Sequence, residues 1–234
     1  MKKSIILLCV LLLAACNNSN TEKASKTSEN AQKTVDQTGK KSIDKNDSNQ
    51  DKSSQHKKVV KEGITYIDNI LIVNKEIALP KDYAPGDDPK ALDAINKLMQ
   101  EGNASGLNIV LRSGFRSYDV QIELYNGYVA RDGQKKADTY SARPGHSEHQ
   151  SGLAFDLGNV AATDDFKSSF ENTPEGKWLK AHAHEYGFII RYPKGKTDIT
   201  GYQYEPWHLR YLGKENAKKV LESGLTLEEF VGLK

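Results

Sequence analysis

The segment Ser147-Glu148-His149-Gln150-Ser151-Gly152-Leu153-Ala154-Phe155-Asp156 joins a turn to a strand. His149 follows the turn-prone pair Pro144-Gly145, and Asp156 falls on an apolar run over 152–157 that reads as a strand. Six residues separate the two. A loop that folds back beside its own strand brings an imidazole and a carboxylate together, and both are good zinc ligands. Gly152 permits a backbone turn there that a bulkier residue resists. The spacing alone also fits an ordinary loop.

A second group lies downstream, at Glu205-Pro206-Trp207-His208. His208 is a candidate third ligand, and Glu205 a candidate general base beside it. Strict strand alternation would put positions 205 and 208 on opposite faces. Pro206 resists a central strand, so Glu205 belongs to the loop before it, and both side chains are free to face one metal. A buried Trp-His pair in a core strand is the competing reading.

Around these groups the sequence predicts strands over 64–67, 70–73, 107–111, 152–157, 188–192 and 207–211. Leu92, Ile95, Leu98 and Met99 have helical spacing within 89–100. Ser117 caps a helix to about Asp132, with Val120, Leu124 and Tyr128 on one side and Gly133 as the stop. Thr173 and Pro174 start a helix ending at Gly187, and Thr226 with Glu229 forms a capping box. Helices and strands are interspersed, with strands clustered in the second half. The fold class is therefore α+β, a single domain with a mainly antiparallel sheet flanked by helices.

The chain has 234 residues, 27% charged and 37% hydrophobic, with a formal net charge of +2. Two cysteines exclude a disulfide scaffold or a zinc site built on several thiolates. The balanced charge excludes a dedicated nucleic-acid binder. Lys2, Lys3 and the apolar run from Ile5 to Ala15 read as a secretory signal over 1–15. Its end, Leu13-Ala14-Ala15-Cys16, resembles the lipobox of bacterial lipoproteins, which implies cleavage before Cys16 and lipid on it. Residues 16–58 are expected to be the lipidated cysteine and a polar tether, whose only apolar residues are Ala24, Ala31, Val35 and Ile43. As a flexible coil it spans roughly 35–40 Å on average. The tether carries net +3, which leaves −3 on residues 59–234, the expected domain. This architecture points to the outer face of the cytoplasmic membrane in a Gram-positive type of envelope. We expect a monomer.

Together the motifs resemble the VanY-type zinc D-Ala-D-Ala carboxypeptidases and their L,D-carboxypeptidase relatives. Ser113-Gly114-Phe115-Arg116-Ser117-Tyr118, followed by Gln121, is similar to the family's SGYRS segment, with Phe115 in place of the usual tyrosine. Residues 141–150, SARPGHSEHQ, are close to the L,D-carboxypeptidase branch. The resemblance covers about residues 73–213 and implies a hedgehog-related fold around one zinc ion. It implies His149, Asp156 and His208 as metal ligands and Glu205 as general base. Arg116 is implied at the substrate carbonyl or its free carboxylate, and Gln121, Ser147 and Tyr192 in the substrate pocket. The substrate implied is the peptidoglycan stem peptide, with L,D-cleavage of tetrapeptides favoured over D,D-cleavage of pentapeptides. A wall endopeptidase and a non-catalytic, zinc-containing wall-binding module are the alternatives from other classes. His146 is a rival ligand to His149. His182 and His184 are expected to be structural or solvent-facing, and Tyr202 and Tyr204 to be packing or pocket wall.

Overall fold

The computed structural model describes residues 56–234. The signal segment, Cys16 and almost all of the expected tether lie outside the described residues. Three short strands open the domain as an antiparallel meander: β1 (Lys58–Lys61), β2 (Ile64–Ile67) and β3 (Ile70–Ile72). The sequence reading missed β1, because Lys58-Val59-Val60-Lys61 is an exposed edge strand without an apolar face. Just before it, His56 Nδ1 lies 2.6 Å from Asp68 Oδ2, and the Lys57 N–H donates to Asp68 Oδ1 at 2.8 Å. The folded chain therefore reaches back to His56, inside the stretch expected to be tether.

Helix α1 (Pro89–Ala104) starts where Asp88 accepts from the N–H groups of Lys90 and Ala91, with proline at its first position. It buries Ala91, Ile95 and Leu98, and continues a turn beyond the expected residue 100. Then come β4 (Ile109–Ser113), α2 (Tyr118–Asp132), α3 (Gln134–Ala137) and β5 (Ala154–Asn159). After these follow α4 (Pro174–His182), β6 (Phe188–Ile190), α5 (Thr197–Thr200), β7 (His208–Tyr211), α6 (Lys214–Ser223) and α7 (Leu227–Phe230). Thr173 caps α4 as expected, but the helix passes into a 3₁₀ turn at Ala183–Tyr186 before Gly187 ends it. The capping box of Thr226 and Glu229 is present at α7. Among the described residues no helix is long and apolar enough to cross a membrane.

The second sheet is antiparallel in the order β4-β5-β7-β6. β5 lies at its centre and is buried along its whole length. Its alternation sends Phe155 and Leu157 into the main core with Ile95, Leu98 and Leu179, and Asp156 to the opposite face. The α+β class with antiparallel sheets holds.

Helix α2 corrects one expectation. Its buried residues are Gln121 and Tyr125, while Val120 is half exposed. Leu124 and Tyr128 instead face a cavity. The helix turns Gln121 inward because its amide is paired there with Arg116 and the Ala142 carbonyl.

Candidate metal centre and active site

Cross-strand register creates the site. Asp156 on β5 pairs directly with His208 on β7 and with Ser113 on β4. His149 arrives from a 3₁₀ turn at Glu148–Ser151, which ends at Gly152 in a left-handed conformation, φ 72°. A Cβ at Gly152 would lie 2.0 Å from the carbonyl oxygen of Gly86, so the turn and the close approach both require glycine. β5 begins at Ala154, two residues later than expected, because Gly152 belongs to this turn.

Asp156 bridges the two imidazoles. Its Oδ2 lies 3.1 Å from His149 Nε2 and its Oδ1 lies 3.0 Å from His208 Nδ1. One ligand atom from each of His149, Asp156 and His208 lies within 4.8 Å of the others, and all three residues are buried. The second ring nitrogen of His149 contacts the Gly114 carbonyl oxygen at 2.8 Å, leaving Nε2 for a metal. Two imidazoles and one carboxylate form a donor set suited to zinc with a position left open. His146 lies outside this group, with Nδ1 2.8 Å from the Asn74 carbonyl oxygen. His182 pairs with Glu185 at 3.2 Å, and His184 lines a groove elsewhere on the domain.

Burial and neighbouring charges oppose each other at every titratable group of the site. Burial opposes the charge of Asp156, yet the two imidazoles overcome it and hold the carboxyl well below the usual range. Burial pushes His149 down. Burial also opposes the His208 imidazolium, but Asp156 and Glu148 prevail and raise it to about 9. Glu205 goes the other way, since burial pushes it up to about 8 against the pull of His208.

A cavity of about 160 Å³ opens on the triad, lined by Arg116, Ser147, Tyr192, Glu205 and Trp207 among others. Glu205 precedes β7 as Pro206 predicted, with its N–H on the Tyr192 carbonyl at 3.1 Å. Glu205 and His208 line the same cavity. Gln121 accepts from Arg116 Nη1 at 2.9 Å and donates to the Ala142 carbonyl at 2.7 Å. Arg116 Nη2 donates to Ser113 Oγ at 3.1 Å. Tyr192 stacks between His208 and Tyr202, with ring centroids at 5.0 and 4.3 Å. Tyr202 is pocket wall as expected, whereas Gln121 stands behind Arg116.

The sequence reading gave no role to Glu148. This fully buried carboxylate contacts Arg191, Arg210 and His208. Burial opposes its charge, but Arg191 and Arg210 keep it ionised far below the usual range. Arg191 directly after the apolar strand β6 and Arg210 inside β7 are the signal that a buried acid must be near.

Residues 87–214 match the VanY family, described as D-alanyl-D-alanine carboxypeptidase. The chain belongs to the VanY family. YodJ of Bacillus subtilis is 37% identical over 247 aligned residues, covering 93% of this chain and 90% of YodJ. The L,D-carboxypeptidase DacB from Streptococcus pneumoniae superimposes with a TM-score of 0.69 at 45% identity, covering 76% of this chain and 96% of DacB. The vancomycin-resistance D,D-pentapeptidase VanY, in an E175A variant solved with Zn(II), gives 0.59 at 32% identity, covering 68% and 97%. This VanY-family chain is a zinc-dependent carboxypeptidase, with His149, Asp156 and His208 as its metal-binding triad.

Proposed function

We propose that the protein is an L,D-carboxypeptidase that removes the terminal D-alanine from tetrapeptide stems of peptidoglycan. Convergence of Glu205 and Arg116 on a small cavity beside the triad carries the carboxypeptidase part of this reading. Arg116 in the wall of this cavity offers a cationic partner to a terminal carboxylate, which a carboxypeptidase must read. The higher identity to an L,D-carboxypeptidase than to a D,D-pentapeptidase, 45% against 32%, supports the tetrapeptide as substrate.

Zinc held by the triad supplies Lewis acidity for the attacking water and the scissile carbonyl. Glu205 takes the water's proton on a carboxylate oxygen and returns it to the departing amine, so hydroxide is added to the acyl carbon as the C–N bond breaks. Arg116, oriented by Gln121 and Ser113, donates to the oxygen on which charge develops or to the substrate's terminal carboxylate. Ser147 and Tyr192 shape the pocket. Lipid on Cys16 and the tether place this chemistry at the outer face of the cytoplasmic membrane, where the domain acts as a monomer.

The test is mass spectrometry of tetrapeptide and pentapeptide stems incubated with the full chain, with and without a zinc chelator. Chelator-sensitive loss of one alanine from the tetrapeptide is expected. Loss only from the pentapeptide makes the enzyme D,D-specific. Cleavage that survives amidation of the peptide's C-terminus makes it an endopeptidase, and no cleavage with zinc bound makes it a wall-binding module.

A further inference from the structure

Glu148 has no part in the reaction above, yet it is the most enclosed carboxylate at the site, with 0% side-chain exposure. Its Oε1 accepts from Arg191 Nε at 2.7 Å and from Arg210 Nη1 at 2.7 Å. Its Oε2 is turned to His208 Nε2 at 3.4 Å. Both arginines are themselves fixed. Arg191 clamps Glu228 on α7 with Nη1 and Nη2, at 2.9 and 2.5 Å, and Arg210 Nη2 donates to the Leu71 carbonyl on β3 at 2.5 Å. None of the four charged side chains is more than 2% exposed.

A buried lattice of this kind is weak evidence for stability, because well-packed apolar residues often serve a fold equally well. Its geometry has a different consequence. His208 presents Nδ1 to Asp156, so Nδ1 must carry a lone pair and Nε2 the hydrogen if His208 is to bind a metal. A carboxylate at Nε2 selects that tautomer. Metal binding therefore needs the two histidines in opposite tautomers, with the Gly114 carbonyl beside Nδ1 of His149 and Glu148 beside Nε2 of His208.

We propose that Glu148 is a positioning residue of the metal centre, held by Arg191 and Arg210 so that its free oxygen fixes His208 with Nδ1 toward the metal. This rests on the triad as a zinc site and is independent of which peptide is cleaved.

Glutamine at 148 reverses the polarity at the ring. Two arginine donors demand the amide oxygen, which turns the amide NH₂ toward His208 Nε2 and moves the ring hydrogen to Nδ1. Zinc affinity of the full chain is measured by competition with a chromophoric chelator. Glu148→Gln is expected to weaken it about 10–100-fold. Glu228→Gln disturbs the same lattice without touching His208, and is expected to lower the thermal midpoint while leaving zinc affinity unchanged. Wild-type affinity in Glu148→Gln, or equal losses in both variants, overturns the proposal. Should either variant fail to fold, ¹⁵N NMR of the zinc-loaded wild type decides. A His208 ring protonated at Nε2 and coordinated at Nδ1 is expected, and the reverse overturns the assignment.

Discussion

Replacing Glu205 by glutamine keeps the side chain's shape and removes its charge, which separates what this residue costs the fold from what it does in the reaction. In the metal-free protein, burial pushes its carboxyl from the ordinary 4.5 up to about 8, against the pull of His208. The unfolded chain releases this proton near 4.5, whereas the folded chain keeps it until about 8. Below 4.5 both states are protonated and there is no cost. Between the two values the cost to the folded state grows by about 1.4 kcal/mol per pH unit, and above 8 it is complete. At pH 7 it amounts to about 3 kcal/mol. Glutamine carries none of it. Urea unfolding in excess chelator is therefore expected to show Glu205→Gln more stable than wild type by about 3 kcal/mol at pH 7, with no difference at pH 4. With zinc restored, the variant keeps the metal but loses about 10²–10⁴ in turnover. A variant no more stable than wild type at pH 7 refutes the account of uncompensated burial. Retained turnover refutes the proton-transfer role.

Other perturbations have equally definite outcomes. Arg116→Ala is expected to lower kcat/KM by about 10²–10³-fold; a loss mainly in kcat assigns Arg116 to the carbonyl oxygen and a loss mainly in KM to the substrate carboxylate. Zinc removal is expected to lower the thermal midpoint by about 8–16 °C when free zinc had stood about 1,000-fold above its Kd. Because His208 binds a proton up to about 9 before metal enters, the apparent zinc affinity measured by competition is expected to fall as pH drops below that value. A flat profile removes His208 from the ligand set. Gly152→Ala combines a left-handed backbone with an overlap against the Gly86 carbonyl, so denaturant unfolding should show a loss of about 2–5 kcal/mol. A loss under 1 kcal/mol contradicts the tight turn.

What could be read from the sequence was what local chemistry writes locally. Caps at Asp88, Ser117, Thr173 and Thr226 were formed by the residues next to the helices they start. Of these, Ser117, Thr173 and Thr226 were legible. Pro206 fixed Glu205 in a loop before β7, which let Glu205 and His208 share one cavity despite a spacing that alternation forbids. The illegible elements carry few apolar residues. α6 buries only Ala217 and Val220, and exposed lysine–glutamate pairs four residues apart cover its other sides. β1 exists through its pairing with β2. Hydrophobicity points away from the inward face of α2, because Gln121 is buried there to hold Arg116.

The site divides along the same line. Its ligands lie in short motifs, but the groups that orient them come from far along the chain. Glu148 meets Arg191 across 43 residues, Arg210 across 62 and His208 across 60. No window of sequence contains that arrangement. One clue was nevertheless present, since Arg191 ends the run Phe188-Ile189-Ile190 and Arg210 lies between Leu209 and Tyr211. A guanidinium cannot be deprotonated to relieve its burial, so an arginine buried within an apolar strand or at its end requires a buried anion. Two such arginines near a histidine ligand, with one unassigned glutamate inside the metal motif, point to Glu148 as the carboxylate between them and the metal.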